Sequence, residues 1–186
     1  MADRLDDVSD QVASVAILVL AAGKSSRTSQ DGVHKLLSSF GGETLVRRSV
    51  RVAVESRGRS VTVVTGSRCE EIDRSISDTG VRVVRNIAYE HGIGTSISAG
   101  VAKIEEDRPE GVLVLLADMP LLESTALDSL ILAFSSEQGA CIVRATAGLL
   151  PGNPSGVPIV DVEIGDGAQV DVDTVQAIIS AGGTIG

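Results

Sequence analysis

The chain has 186 residues, of which 43% are hydrophobic and 22% charged, and this balance is typical of one globular domain rather than of a disordered chain. A formal net charge of −9 without a long Lys/Arg cluster argues against a nucleic-acid-binding protein. Two isolated cysteines, an acidic N-terminal stretch unlike a signal peptide and the lack of an apolar run of about 20 residues predict a cytoplasmic protein that does not span a membrane.

Apolar runs alternate with segments of helical periodicity along the chain. After a polar tail over 1–14, one domain is predicted over 15–186. Its elements in chain order are a strand at 15–20, a helix at 43–55, a strand at 60–65, a short helix at 70–77, a strand at 81–85, a helix at 95–106, a strand at 111–116, a helix at 123–136, strands at 140–145 and 159–164, and a helix at 173–181. This alternation predicts an α/β fold, a single Rossmann-like domain with a mostly parallel sheet flanked by helices, with ligands beyond the carboxyl ends of the strands.

A loop of small residues follows the first strand, over 21–27. Its backbone N–H groups are suited to cradling phosphates, although a plain glycine turn is the alternative. The triplet from Gly23 to Ser25 is not a P-loop, because that motif requires a glycine where Leu18 stands. The GxGxxG pattern of dinucleotide-binding proteins is missing as well. The loop therefore predicts a phosphate site of neither common class.

The residues of this loop and of the segment after it match a known pattern. They are Leu20, Ala21, Ala22, Gly23, Ser25 and Arg27, followed by Lys35. The pattern resembles the opening signature of the nucleotidyltransferases that finish the molybdenum cofactor, in particular the MobA-like, molybdopterin cytidylyltransferase-like proteins. The resemblance implies a fold of the nucleotide-diphospho-sugar transferase type and a loop that wraps a triphosphate.

Two basic residues are the predicted catalytic cations. The resemblance implies that Arg27 and Lys35 neutralise the triphosphate, and Arg27 offers a planar fork of donors where Lys35 offers a point charge. An α-phosphate under attack gathers charge that such groups stabilise. Residues 28–34 make the connection to Lys35 longer than in the family, and His34 is expected to be a plain loop residue.

A carboxylate at the end of the strand at 111–116 is the predicted metal ligand. Asp118 lies in the run Ala117-Asp118-Met119-Pro120, and a hard oxygen ligand beside a triphosphate suits Mg²⁺, with Mn²⁺ as a substitute. A turn or helix-cap aspartate is the alternative. The resemblance implies that this is the family's metal site, and that Asp171 is a candidate second ligand. Asp173 is expected to cap the last helix.

The nucleotide base and sugar are predicted to contact a middle segment. Asn86, Gly94 and Ser96 resemble the family's segment that lines the nucleotide, and glycines there would let the backbone approach a ligand. Thr65 and Gly66 follow the second strand on the same side. A capped helix after an ordinary loop is the alternative.

The acceptor half resembles the family least. The run Gly152-Asn153-Pro154 matches the family's Gly-His/Asn-Pro, but the chain then reaches its last strand almost directly, whereas the family has a few dozen residues there. The sequence therefore predicts a shortened acceptor region near 154–158.

The resemblance implies transfer of CMP, or GMP, from an NTP to a small phosphorylated acceptor, with release of pyrophosphate. Ala22 favours CTP, because the guanylyl members tend to have glycine there. Molybdopterin or its molybdenum form is the implied acceptor, and the protein is expected to be a monomer or weak dimer. Two alternatives remain open: a nicotinamide-dependent oxidoreductase of the nicotine-blue-reductase type, and a non-catalytic factor that delivers a cofactor to a partner molybdenum enzyme.

Overall fold

The structure is a computed structural model that describes residues 12–25, 28, 33–137, 141–146, 159–164, 167, 170 and 172–185. Its strands are β1 (Val15–Ala21), β2 (Ser39–Phe40), β3 (Glu43–Thr44), β4 (Ser60–Thr65), β5 (Arg82–Arg85), β6 (Gly111–Leu116), β7 (Ile142–Thr146), β8 (Ile159–Glu163) and β9 (Gly183–Thr184). Its α-helices are α1 (Leu45–Glu55), α2 (Cys69–Ser75), α3 (Ile93–Ile104), α4 (Ser124–Ser136) and α5 (Val175–Ser180).

A four-stranded parallel sheet forms the centre of the fold, in the order β5-β4-β1-β6. The register pairs Leu20 of β1 with Val64 of β4 on one side and with Leu116 of β6 on the other. Since the strands are parallel and in step, their carboxyl ends lie together at one edge of the sheet. The predicted α/β architecture with a mostly parallel sheet is confirmed.

Helices cover both faces of this sheet because successive β1 side chains point to opposite faces. On one face Ile17 and Val19 pack in a buried cluster with Val46 and Val50 of α1. On the other face Leu18 packs in a second cluster with residues of α3. Every residue of β1 is buried, as expected for a central strand of a parallel sheet.

A small antiparallel sheet, which the sequence analysis missed, lies beside the main one. In it β2 pairs with β3 and with β9. The predicted helix at 43–55 therefore begins too early: Glu43 and Thr44 are in β3, and α1 begins at Leu45 with the Thr44 hydroxyl accepting a hydrogen bond from the Arg47 N–H. Because an N-cap residue has an extended backbone and an oxygen side chain, Thr44 can both end β3 and cap α1.

The two late strands form a parallel pair of their own, with Ile142 in register with Ile159. The bounds of β4 and β6 are those predicted, the other boundaries differ by at most two residues, and α3 is followed by a 3₁₀ turn at Glu105–Asp107. None of the helices in the described parts of the chain has the length and apolarity needed to cross a lipid bilayer.

Candidate active site

A cavity of about 310 Å³ opens at the carboxyl edge of the sheet, where β1 and β6 end. It lies between the loop after β1, a 3₁₀ turn at Lys35–Leu37 and the segment ahead of α5. The residues that line it are Leu20, Gly23, Ser25, Lys35, Leu36, Asp118 and Asp173.

A lysine bridges two carboxylates in this cavity. The Lys35 ammonium donates to Asp118 Oδ2 at 2.7 Å and to Asp173 Oδ1 at 2.6 Å. The three side chains are 14%, 18% and 34% exposed in that order, so the pairs are partly shielded from water. One cation therefore neutralises part of a site that two acidic residues share.

Core packing and backbone hydrogen bonds hold these three residues in place. Leu36, the neighbour of Lys35, is buried in the main core and anchors its turn. The N–H of Ala117 donates to the carbonyl of Leu20, which continues the β1–β6 ladder up to the residue before Asp118. The N–H of Val172 donates to the Asp118 carbonyl, so the segment carrying Asp173 is tied directly to the strand end.

The electrostatics of the cluster keep the lysine charged. Burial lowers the pKa of Lys35, but hydrogen bonds and charge from Asp118 and Asp173 outweigh it, and the net shift is upward. Asp118 Oδ1 is buried and has no hydrogen-bond partner among the described residues. A buried carboxylate oxygen without a donor is costly, so this oxygen has unused capacity to accept a hydrogen bond or a cation.

The last helix corrects one sequence prediction. Asp173 was expected to cap it, but Thr174 is the N-cap, and its hydroxyl accepts a hydrogen bond from the Ala177 N–H. Asp173 instead points into the cavity. The sequence carried a signal for this outcome, because threonine is itself a favoured cap and leaves the preceding aspartate for another role. Asp171 and Arg27 lie outside the described residues.

The loop after β1 is fastened at several points. The N–H and the hydroxyl of Thr28 both donate to the Ser25 carbonyl at 3.0 Å, and Ser25 has a left-handed backbone with φ of 51°. Lys24 pairs with Glu90 at 2.7 Å on the outside of the loop. These contacts hold Gly23 and Ser25 at the cavity, where backbone N–H groups suit an anion.

His34 is more deeply placed than a plain loop residue would be. The residue is 4% exposed, and the Gly23 backbone lies close enough to the ring to raise the pKa of the imidazole slightly against the lowering influences. Burial, followed by the charge of Arg68, lowers its pKa, so the imidazole is neutral near pH 7. His34 does not line the cavity.

The predicted base-lining residues form a second group beside the cavity. The Asn86 amide donates to the hydroxyls of Thr95 and Ser96 at 2.9 Å each, and its oxygen accepts from the Ala88 N–H. Asn86 is buried and thereby fixes the start of α3. None of these residues lines the cavity.

Two further predicted residues lie at the end of β4, and they are closely packed. Thr65 is fully buried. A Cβ on Gly66 would lie 2.7 Å from Tyr89 Cγ and 2.9 Å from the Ala22 carbonyl oxygen. Only glycine fits there, because the backbone lies between the loop after β1 and the Tyr89 ring. Ala21 and Ala22 are likewise buried and do not line the cavity.

An open parallel sheet with a cavity, an acidic pair and a lysine at its carboxyl edge defines an α/β domain of the kind that binds ligands beyond its strand ends. Residues 17–157 match the family model of the MobA-like NTP transferase domain. The chain belongs to this family, and the resemblance seen in the sequence is confirmed.

The chain is also similar to curated proteins. Bifunctional protein GlmU of Francisella philomiragia is 31% identical over 124 residues, which cover 67% of this chain and 26% of that protein. The chain thus spans about a quarter of the length of the curated relatives it matches.

Solved structures share the fold. A nucleotidyl transferase from Methanothermobacter is 28% identical with a TM-score of 0.57, covering 63% of this chain and 56% of that one. Rv0371c of Mycobacterium tuberculosis, in its complex with manganese, has 18% identity and a TM-score of 0.62, covering 90% of this chain and 97% of that one.

Proposed function

We propose that the protein is a nucleotidyltransferase that moves a nucleoside monophosphate, CMP by preference, from an NTP to a small phosphorylated acceptor. The observation that carries the proposal is the cluster of Lys35, Asp118 and Asp173 beside the Gly23 loop. A triphosphate needs cations, N–H donors and a metal-binding carboxylate within a few ångströms of one another, and this edge of the sheet brings such groups together.

The acidic pair fits a divalent metal ion. Asp118 and Asp173 would hold it, since Mg²⁺ takes one or two carboxylates together with phosphate oxygens and water. The buried, unpartnered Oδ1 of Asp118 supports this assignment, and so does the manganese named for Rv0371c. When bound, the ion supplies positive charge to the triphosphate. Asp171 remains a candidate ligand on the resemblance alone.

The chain's own residues would perform two tasks. The Gly23 and Ser25 backbone would hold phosphate oxygens, and Lys35 with Arg27 would stabilise the charge that grows on the α-phosphate. An acceptor phosphate oxygen forms the new bond to the α-phosphorus while the bond to pyrophosphate breaks, and pyrophosphate leaves with the electron pair. No general base is required, because the acceptor phosphate is already ionised near neutral pH.

The nucleotide's base and sugar are assigned to the second group of residues. Gly94 at the start of α3 and Gly66 after β4 would contact them. Asn86 would act by holding this segment in place, and Ser96, which is buried and accepts from Asn86, would contribute through its backbone. Thr65 would contribute through its backbone, because its side chain is buried. Molybdopterin or its molybdenum form is the acceptor that we propose, on the resemblance of the loop after β1.

Pyrophosphate release tests the proposal. The protein is incubated with each of the four NTPs and Mg²⁺, with and without molybdopterin, and CTP with acceptor should give the highest rate. Asp118→Asn is the matched inactive control, because it removes one charge and keeps the shape. Release from none of the NTPs would contradict the proposal, and NADPH oxidation that survives EDTA would instead identify a nicotinamide-dependent reductase.

A further inference from the structure

The position of Lys35 conflicts with the binding of a metal ion. The ammonium lies between the two carboxylates at 2.7 and 2.6 Å, which is the place that a shared divalent ion would take. We propose that Lys35 occupies the metal position in the nucleotide-free protein and that a divalent ion enters only when the lysine moves to the triphosphate. The inference rests on the divalent-metal site of the proposed function.

Distance and charge make the two cations mutually exclusive. Mg²⁺ bonds to oxygen at about 2.1 Å, somewhat shorter than the two contacts of Lys35, so an ion bound to both carboxylates would lie almost where the ammonium lies. The ion and the ammonium would then repel each other strongly, because the cavity is partly shielded from water. A bound ion therefore requires that the Lys35 ammonium give up its contacts with Asp118 and Asp173.

The lysine has reason to stay when no nucleotide is present. Asp118 and Asp173 are both partly buried and share one nitrogen, and without a cation between them they would repel each other. A triphosphate changes this balance, because it offers the ammonium another anion. Gly23 and Lys35 line the same cavity, so a triphosphate held by the loop after β1 would lie next to the lysine.

The consequence is positive coupling between metal and nucleotide. Each would raise the affinity for the other by the same factor, as linkage requires, and couplings of this kind typically amount to about 5- to 150-fold. Free divalent ions would bind weakly to the resting protein.

Mn²⁺ titration without nucleotide tests the inference directly, with free Mn²⁺ followed by electron paramagnetic resonance. Lys35→Gln should bind Mn²⁺ at least about tenfold more tightly than the wild type, because the competing cation is gone. Lys35→Arg keeps the positive charge and should stay as weak as the wild type. Lys103→Gln makes the same change of charge at an exposed pair with Glu106 and should have no effect. Equal or weaker binding by Lys35→Gln would overturn the inference.

Two further measurements keep the inference testable if the variant is unstable or binds the metal elsewhere. If Lys35→Gln is unfolded in metal-free buffer, the recovery of its circular dichroism on adding Mn²⁺ measures the same affinity. Adding Asp118→Asn to Lys35→Gln should remove the gained affinity, and a gain that persists would place the metal elsewhere and overturn the inference. If the wild type releases pyrophosphate but Lys35→Gln binds Mn²⁺ no more tightly, only the competition between Lys35 and the metal is refuted. If Lys35→Gln binds Mn²⁺ more tightly but no NTP gives pyrophosphate, only the proposed transferase activity is refuted.

Discussion

The packing of α3 against the sheet gives a quantitative prediction for Gly100→Ala. A Cβ at Gly100 would lie 2.2 Å from Leu18 Cδ1 and 2.9 Å from Val64 Cγ2. Both neighbours are fully buried, and the β-branched valine has little freedom at χ1. Either α3 must lift from the sheet or Leu18 must take another rotamer in a packed core.

The magnitude follows from two opposing terms. Inserting a methyl group into a filled core costs about 1–3 kcal/mol, while alanine gains roughly 0.5–1 kcal/mol over glycine inside a helix. Because the contact with Leu18 is as short as 2.2 Å, the cost falls in the upper part of its range, and we expect Gly100→Ala to lower the free energy of unfolding by about 1–2.5 kcal/mol. For a chain of this size, that corresponds to a fall in Tm of roughly 2–10 °C.

Thermal unfolding followed by circular dichroism provides the assay, and Gly94→Ala provides the matched control. Gly94 is in the same helix, and a Cβ there would meet nothing within 4 Å. Gly94→Ala should therefore keep the helix gain and raise the Tm slightly. A Tm for Gly100→Ala equal to or above that of Gly94→Ala would show that α3 does not pack against Leu18 as described.

Four further predictions concern single groups. Asp118→Asn should abolish the uptake of Mn²⁺ that CTP promotes while leaving the circular dichroism unchanged, and calorimetry showing wild-type affinity would remove Asp118 as a ligand. Arg27→Ala should lower kcat on the order of 10²–10³-fold with a smaller change in nucleotide binding, and a rate within about twofold of wild type would refute its role. The pKa of His34 in the folded protein lies below its ordinary 6.5, so as the pH falls the unfolded chain binds a proton before the folded one does, and the free energy of unfolding decreases. The Tm of His34→Leu should therefore fall less than that of the wild type between about pH 7.5 and about pH 5.5. The Arg47 guanidinium lowers the pKa of Asp78 to about 2, and in Arg47→Gln this pKa should return toward 3.8. NMR titration of the Asp78 carboxyl carbon measures it, and an unchanged pKa would show that Arg47 is not the cause.

The central sheet could be predicted because its strands are locally recognisable. β1 and β6 are unbroken apolar runs that need no partner to be identified, and their parallel pairing follows from the intervening helices. The small sheet could not be predicted in this way. β2, β3 and β9 have two residues each, which is too short for any periodicity, and β9 pairs with a strand far away in the chain.

The candidate site was accessible to sequence reasoning only in part. Asp118 and Gly23 follow apolar strands directly, so their meeting at one edge of the sheet follows from the topology. Asp173 was assigned to a cap because an aspartate before a helix fits that role equally well locally. Its contact with Lys35 depends on how the last segment returns to the sheet, which the local sequence does not encode.

The separation of the site residues along the chain has a consequence for folding. Lys35 contacts Asp118 across 83 positions and Asp173 across 138 positions. Closing such long loops costs entropy that early local contacts cannot repay, so topologies of this kind fold slowly. A nascent chain that has emerged only through Asp118 could assemble the four-stranded sheet with a single carboxylate beside the lysine. The second carboxylate joins only after the segment that carries Asp173 is synthesised, so nucleotide-dependent protection from proteolysis would mark this late folding step.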